Sequence, residues 1–203
     1  IAAHPAALTH VRIGGGVVLH SAAARARRNV VAFNALLAAH PAAAAHADHE
    51  GWLPLHWAVQ GDAPLAAVLA LLAVHAAGVA HADVNGWSPL LVAVKNAPLD
   101  VVKALLAAFP AAAAQADAHG DLPVHWAAQH HAAPAVLAAL LAAHPAGAAR
   151  ANQSGSLPLH LAVVHNATVL VPPLMAAFPA GAAHADVNAF LPLHCAAQLQ
   201  APL

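Results

Sequence analysis

Apolar positions along this chain alternate between two kinds of segment. The first is short and opens on proline, as in Leu53-Pro54-Leu55-His56, and runs on through small residues. A proline there suits a first helical turn, where its missing N–H would be unpaired anyway. The second kind is longer and places Leu and Val at helical spacing: Leu65, Val68, Leu69 and Leu72 in one copy, Leu99, Val102, Leu105 and Leu106 in the next. These sets are the expected buried faces of second helices, opened by Pro64, Pro98, Pro134 and the Pro172-Pro173 pair. Each second helix ends on His or Phe before another proline, as in His40-Pro41, Phe109-Pro110, His144-Pro145 and Phe178-Pro179. Proline cannot continue a helix, and it biases its predecessor out of helical geometry. A glycine turn (Glu50-Gly51, Asn85-Gly86, His119-Gly120, Ser154-Gly155) then leads into the next short segment.

The unit repeats. From a weak copy, VVLH at Val17–His20, the motif returns at Leu53, Ser88, Leu122, Leu157 and Leu191, with offsets of 36, 35, 34, 35 and 34 residues. Boundaries follow at 17–52, 53–87, 88–121, 122–156 and 157–190, with partial units at 1–16 and 191–203. A period near 33 with T-P-L-H-x-A opening two antiparallel helices is the ankyrin signature. The hexapeptides LPLHWA, LPVHWA and LPLHCA resemble it, as does the D-x-x-G turn in LLAAHPAAAAHADHEG. The resemblance covers essentially the whole chain and implies an all-α solenoid of stacked helix-turn-helix units. The sequence departs from the pattern where leucine replaces the threonine whose hydroxyl would cap the first helix, leaving only Ser88 with one. Leu91 replaces the motif histidine, and Val18 the first proline. In register, Ile1–Pro5 aligns with Leu37–Pro41, so the chain is expected to open inside a second helix and close just past a first. Neither end looks polar, as a terminal repeat should; the expectation is a longer parent protein or covering subunits.

Composition changes the picture in two respects. Charged residues make up 7% of the chain, about three residues in ten are alanine, and there are 18 histidines and no tyrosine. The net charge of −1, without any basic stripe, points away from nucleic acid. Arg25, Arg27 and Arg28 read as a solvated helix face. The uncharged run from Ala63 to Ala82 has the length of a membrane span; however, Pro64 and His75 interrupt it and its pattern recurs along the chain, so direct insertion is not expected. The alanine excess admits three readings: biased composition, unassigned surface side chains written as alanine, or a subunit embedded in an assembly that needs little solvating charge. Ala43, Ala44, Ala67 and Ala112 stand where such repeats would hold Glu, Lys or Arg.

Candidate chemistry is sparse. Thirteen histidines fall into three repeat columns: His20, His56, His125, His160 and His194 in the motif; His4, His40, His75 and His144 at second-helix ends; His10, His46, His81 and His184 before the turns. Repeats stack about 10 Å apart, and zinc needs its ligand nitrogens about 2 Å from one ion, so no column makes a metal site. The motif histidines are expected to bond the neighbouring turn's backbone, which leaves His49 and His130-His131 as the only weak metal candidates. No H-E-x-x-H, G-x-S-x-G or P-loop is present. Cys195 points about 100° away from His194 on one helix and reads as a small buried hydrophobe. A single cysteine fits a reducing, intracellular compartment. Neither cofactor nor catalytic site is expected.

The residues after the turn glycines point to recognition. They are Gly16, Trp52, Trp87, Asp121 and Ser156, with Phe190 at the equivalent position. The resemblance implies turns that project as fingers beside a surface of first helices, and aromatics on such tips are over-represented at binding hot spots. The expected partner-facing set is Trp52, Trp87 and Phe190, with His49, Glu50, His119 and Asp121 of the turns and Gln129 and His130 at a first-helix end. For the two tryptophan tips, the alternative is that they fold back onto the neighbouring finger. Trp57 and Trp126 are expected in the core. Three functions remain open: protein–protein recognition, a permanent subunit of a large complex, membrane-associated complexes included, or a metal- or pH-responsive module using the histidine columns.

Overall fold

The computed structural model describes residues 18–200, with side chains to residue 198; the partial unit 1–16, with His4 and His10, lies outside the described residues. Among these residues there are eleven α-helices and no strand. They belong to two compact units divided between Ala112 and Ala113.

The first unit holds α1 (Val18–Ala24), α2 (Val30–Ala39), α3 (Pro54–Gln60), α4 (Leu65–Val74), α5 (Pro89–Asn96) and α6 (Leu99–Ala108). The first helices α1, α3 and α5 pack in sequence as one layer, and α2, α4 and α6 as a second. Leu19, Leu55, Val59, Leu90 and Val94 meet Phe33, Leu37, Val68, Leu71, Val102 and Leu105 between the layers, all buried. Each such side chain contributes roughly 1.5–3 kcal/mol. His40, His75 and Phe109 end the second helices at φ −144°, −139° and −150°, each N–H returning to a carbonyl four residues back. The chain then tightens into 3-10 turns at Pro41–Ala45, Ala76–Ala80 and Pro110–Ala114. Gly61, after α3, lies against α1 so closely that a Cβ would sit 2.2 Å from the Ala24 carbonyl oxygen.

Three expectations are corrected here. Leu69 is 47% exposed, and the buried face of α4 is Ala67, Val68, Leu71 and Leu72. Every position of this helix is apolar, so periodicity alone could not choose its inward face. Ala43, Ala44, Ala67 and Ala112 are all buried, at 0–3% exposure, where a charged side chain would lack water. Arg25, Arg27 and Arg28 follow α1 in the connecting loop, where Arg27 pairs with Asp62.

The second unit holds α7 (Pro123–Gln129), α8 (Pro134–Ala143), α9 (Pro158–Val164), α10 (Val171–Ala177) and α11 (Pro192–Gln200). Here α9 packs between α7 and α11, while α8 and α10 lie against α7 and α9. The short α10 follows a 3-10 turn at Thr168–Leu170. Pro172 and Pro173 have no N–H to bond carbonyls four residues back, so an α-helix cannot start earlier. The run Ala63–Ala82 becomes α4 with its flanking turns, and among the described residues no helix is long and apolar enough to cross a membrane.

Candidate partner-binding surface

Each finger is closed by one side chain. Asp48 Oδ1 accepts the N–H groups of Glu50 at 3.0 Å and Trp52 at 2.9 Å, and the Asp48 N–H donates to the Trp52 carbonyl. Asp83, Asp117, Asn152 and Asp186 repeat this arrangement with the residues two and four places on. The closing residue has positive φ: +85° at Gly51, +80° at Gly86, +79° at Gly120, +70° at Gly155 and 63° at Ala189. At Gly155 glycine is needed twice over, because a Cβ would also lie 2.8 Å from the Val187 nitrogen.

Neighbouring fingers are joined to one another within each unit. The Val84 N–H donates to Glu50 O; Gln153 donates to His119 O at 3.0 Å and Val187 to Ser154 O at 3.1 Å. The second carboxylate oxygens take indole N–H groups: Trp57 on Asp48 and Trp52 on Asp83 at 2.8 Å, Trp126 on Asp117 at 3.0 Å. Buried motif histidines fasten the fingers to the helices. In His56, His125 and His160 the Nδ1 accepts the N–H of Leu53, Leu122 and Leu157, while Nε2 bonds the carbonyls of Trp87, Ser156 and Phe190. His20 reaches the Trp52 carbonyl in the same way, at 3.0 Å. His81 and His184 add bonds to the Gly51 and Gly155 carbonyls. In the copy without a motif histidine, Ser88 Oγ caps Leu91 N–H at 3.4 Å. Where leucine has displaced the hydroxyl, the N3 N–H bonds only the N-cap carbonyl, and the histidine Nδ1 takes the N–H of the N-cap leucine itself.

Residues 85–115, from the second finger through α5 and α6 to the following 3-10 turn, match the family model of the ankyrin repeat. The chain thus carries an ankyrin repeat, and its other units repeat the same turn and helix pair. No curated protein matches it. Ankyrin repeats mediate protein–protein interaction, and the family is typically non-enzymatic.

Within these ankyrin fingers the side chains singled out above divide into two groups. His49, Glu50 and His119 are exposed at the turn tips, with His49 Nε2 3.9 Å from Glu50 Oε1. Trp52, Trp87, Asp121 and Phe190 are half-buried on the returning arm. Trp52 is folded back, bonded to Asp83 of the next finger, its ring centroid 5.2 Å from Trp57 and 5.6 Å from His56. Asp121 accepts from Asn152 Nδ2 at 2.7 Å. Gln129 and His130 are half-buried at the end of α7, where the His130 ring stacks on Trp126 at 4.9 Å. Trp57 and Trp126 are half-buried too, not core residues. The tips are the two residues between Asx and glycine, and so include Val84 and Val187, 74% and 67% exposed, which the reading from the glycines missed. The D-x-x-G spacing carried that signal, because the Asx turn encloses its two middle residues.

Among the described residues no three His, Cys, Asp or Glu side chains lie close enough to hold a metal ion. Cys195 is half-buried, and burial followed by the Asp186 carboxylate pushes its thiol pKa up, away from the reactive thiolate.

Proposed function

We propose that this chain is a non-enzymatic recognition module that holds a protein partner on its finger tips and the adjoining first helices. One observation carries the reading. The tips His49-Glu50, Val84-Asn85, Ala118-His119, Gln153-Ser154 and Val187-Asn188 are exposed, while the backbone beneath each is locked by an Asx turn. Side chains presented on a pre-formed backbone lose little entropy on binding. Trp52, Trp87, Asp121 and Phe190 would then form the wall behind the tips, and Gln129 and His130 the adjoining helix end.

A second reading, a permanent subunit of a larger assembly, is favoured by the second-helix faces. Val31, Leu69 and Val74 are 76%, 47% and 44% exposed there, with alanine around them. Two variants of the natively purified complex separate the readings: a tip variant (His49→Ala, Glu50→Ala, Val84→Ser, Val187→Ser) and a helix-face variant (Val31→Ser, Leu69→Ser, Val74→Ser). Recognition by the fingers predicts at least a tenfold loss of partner retention in the tip variant alone. Loss in the helix-face variant alone would transfer the interface to the second helices.

A further inference from the structure

His56, His125 and His160 are 0–1% exposed, and each ring is held at both nitrogens. Nδ1 lies 3.1 Å from the N–H donors of Leu53, Leu122 and Leu157, and Nε2 lies 3.1–3.2 Å from the carbonyl oxygens of Trp87, Ser156 and Phe190. A carbonyl only accepts, so Nε2 must carry the hydrogen; a backbone N–H only donates, so Nδ1 must keep its lone pair. The neutral ring with its hydrogen on Nε2 is the one form that satisfies both. An added proton would go to Nδ1 and point at another donor inside the stack. We propose that these three histidines make the junctions between first helices and fingers acid-labile, so that protonation at Nδ1 breaks its bond from the N-cap N–H and loosens the finger bridge beside it.

The surroundings do not rescue the charged ring. Around His56 stand Asp48 and Asp83 of the two fingers and His81, edge-on at 5.9 Å. Of the helices packed on α3, α1 carries His20, α5 only the exposed Lys95, and α4 nothing titratable. His125 has Asp117 and Asp121 of its own finger; α9 brings His160, α8 nothing. His160 has Asp186 and His184, edge-on at 6.0 Å; α7 brings His125, α11 brings His194 and Cys195, α10 nothing, and the preceding 3-10 turn is flanked by His144 and Arg150. The two carboxylates near His56 both favour its charged form, yet burial outweighs them and lowers its pKa from 6.5 to about 4. Burial is likewise the largest influence on His125 and His160, and it lowers both.

A pKa lower in the folded protein means that the unfolded chain binds the extra proton. The stability from the neutral ring is therefore complete above the unfolded value of 6.5 and is lost as pH falls toward about 4. Midway in that window the unfolded chain carries one more proton at His56 than the fold, which raises the unfolding constant about tenfold per pH unit.

The chain supplies its own control, since Ser88 and Leu91 cap their helix without a titratable ring. The test is urea unfolding of the full chain at pH 7.5, 6.0 and 5.0, read by tryptophan emission; Trp52, Trp57 and Trp87 all lie in the unit of His56. The wild type is compared with the Leu53→Ser/His56→Leu variant. The proposal predicts that the wild-type unfolding constant rises at least about tenfold between pH 6.0 and 5.0, and that the variant lacks one such factor of ten, whatever its stability at pH 7.5. A wild-type constant that does not change, or a variant as acid-sensitive as the wild type, overturns it. If the variant does not fold, NMR of the wild-type His56 ring decides: hydrogen on Nε2 and a midpoint below 5 support the proposal, and titration near 6.5 overturns it.

Discussion

One carboxylate per finger does several jobs at the residue scale. Asp83 closes its own turn through Oδ1 and takes the Trp52 indole through Oδ2, with 8% of its surface exposed. Trp52→Phe keeps an aromatic ring, though a smaller one, and removes that N–H from a charged acceptor. It should cost about 1.5–3 kcal/mol in urea unfolding, whereas an unchanged midpoint would mean the bond contributes nothing. Ser88→Ala should cost about 1 kcal/mol through loss of the one hydroxyl cap. The aspartates were visible in the sequence as D-x-x-G, but their bonding was not. An acidic residue on a turn looks the same whether its oxygens face water or an indole 31 residues away. For that reason Trp52 could be read as a projecting tip when its N–H holds it back against the next finger.

Helix existence is plain from the prolines, at the scale of the element; helix orientation is not. Pro54, Pro123 and Pro158 occupy the first positions of α3, α7 and α9, and the pre-proline His40 and His144 end α2 and α8. The second helices contain almost nothing but Ala, Leu and Val, so hydrophobicity is nearly even around them and the buried side is set by packing. In α6, where Asp100 and Lys103 mark the outer face, the expected Val102, Leu105 and Leu106 are indeed buried, and Leu99 is half-buried. In α4, which has no polar marker, Leu69 was placed inside wrongly. Leu71→Asp should therefore destabilise by about 3–5 kcal/mol, as an unpaired buried charge does, and Leu69→Asp by about 1 kcal/mol or less. Circular dichroism melts of the two variants compare them directly, and equal losses would reject the assigned face. Gly61→Ala tests the packing of α3 on α1: with the Ala24 carbonyl oxygen 2.2 Å from the new Cβ, backbone must shift, at about 1–3 kcal/mol.

Across the whole molecule, charge is concentrated in the fingers. The five turns 48–52, 83–87, 117–121, 152–156 and 186–190 hold six of the eight acidic residues and none of the seven Lys and Arg. Five of those six, all but Glu50, accept hydrogen bonds within the fingers, so the acid content of the turns mostly holds them shut. Under the proposed function, what remains for a partner is the set of tip side chains, the most varied surface of a chain with so little charge. The period of 34–36 residues made the fold legible; in the proposed partner surface the D-x-x-G spacing marked the tips, while the long-range bonds behind them showed in no local pattern. The most direct test of the central claim is hydrogen–deuterium exchange on the natively purified complex and on the isolated chain. Recognition by the fingers predicts new protection confined to the five turns and the ends of the first helices, with α2, α4, α6, α8 and α10 unchanged. Protection spread over those second helices, with the turns unchanged, would contradict it.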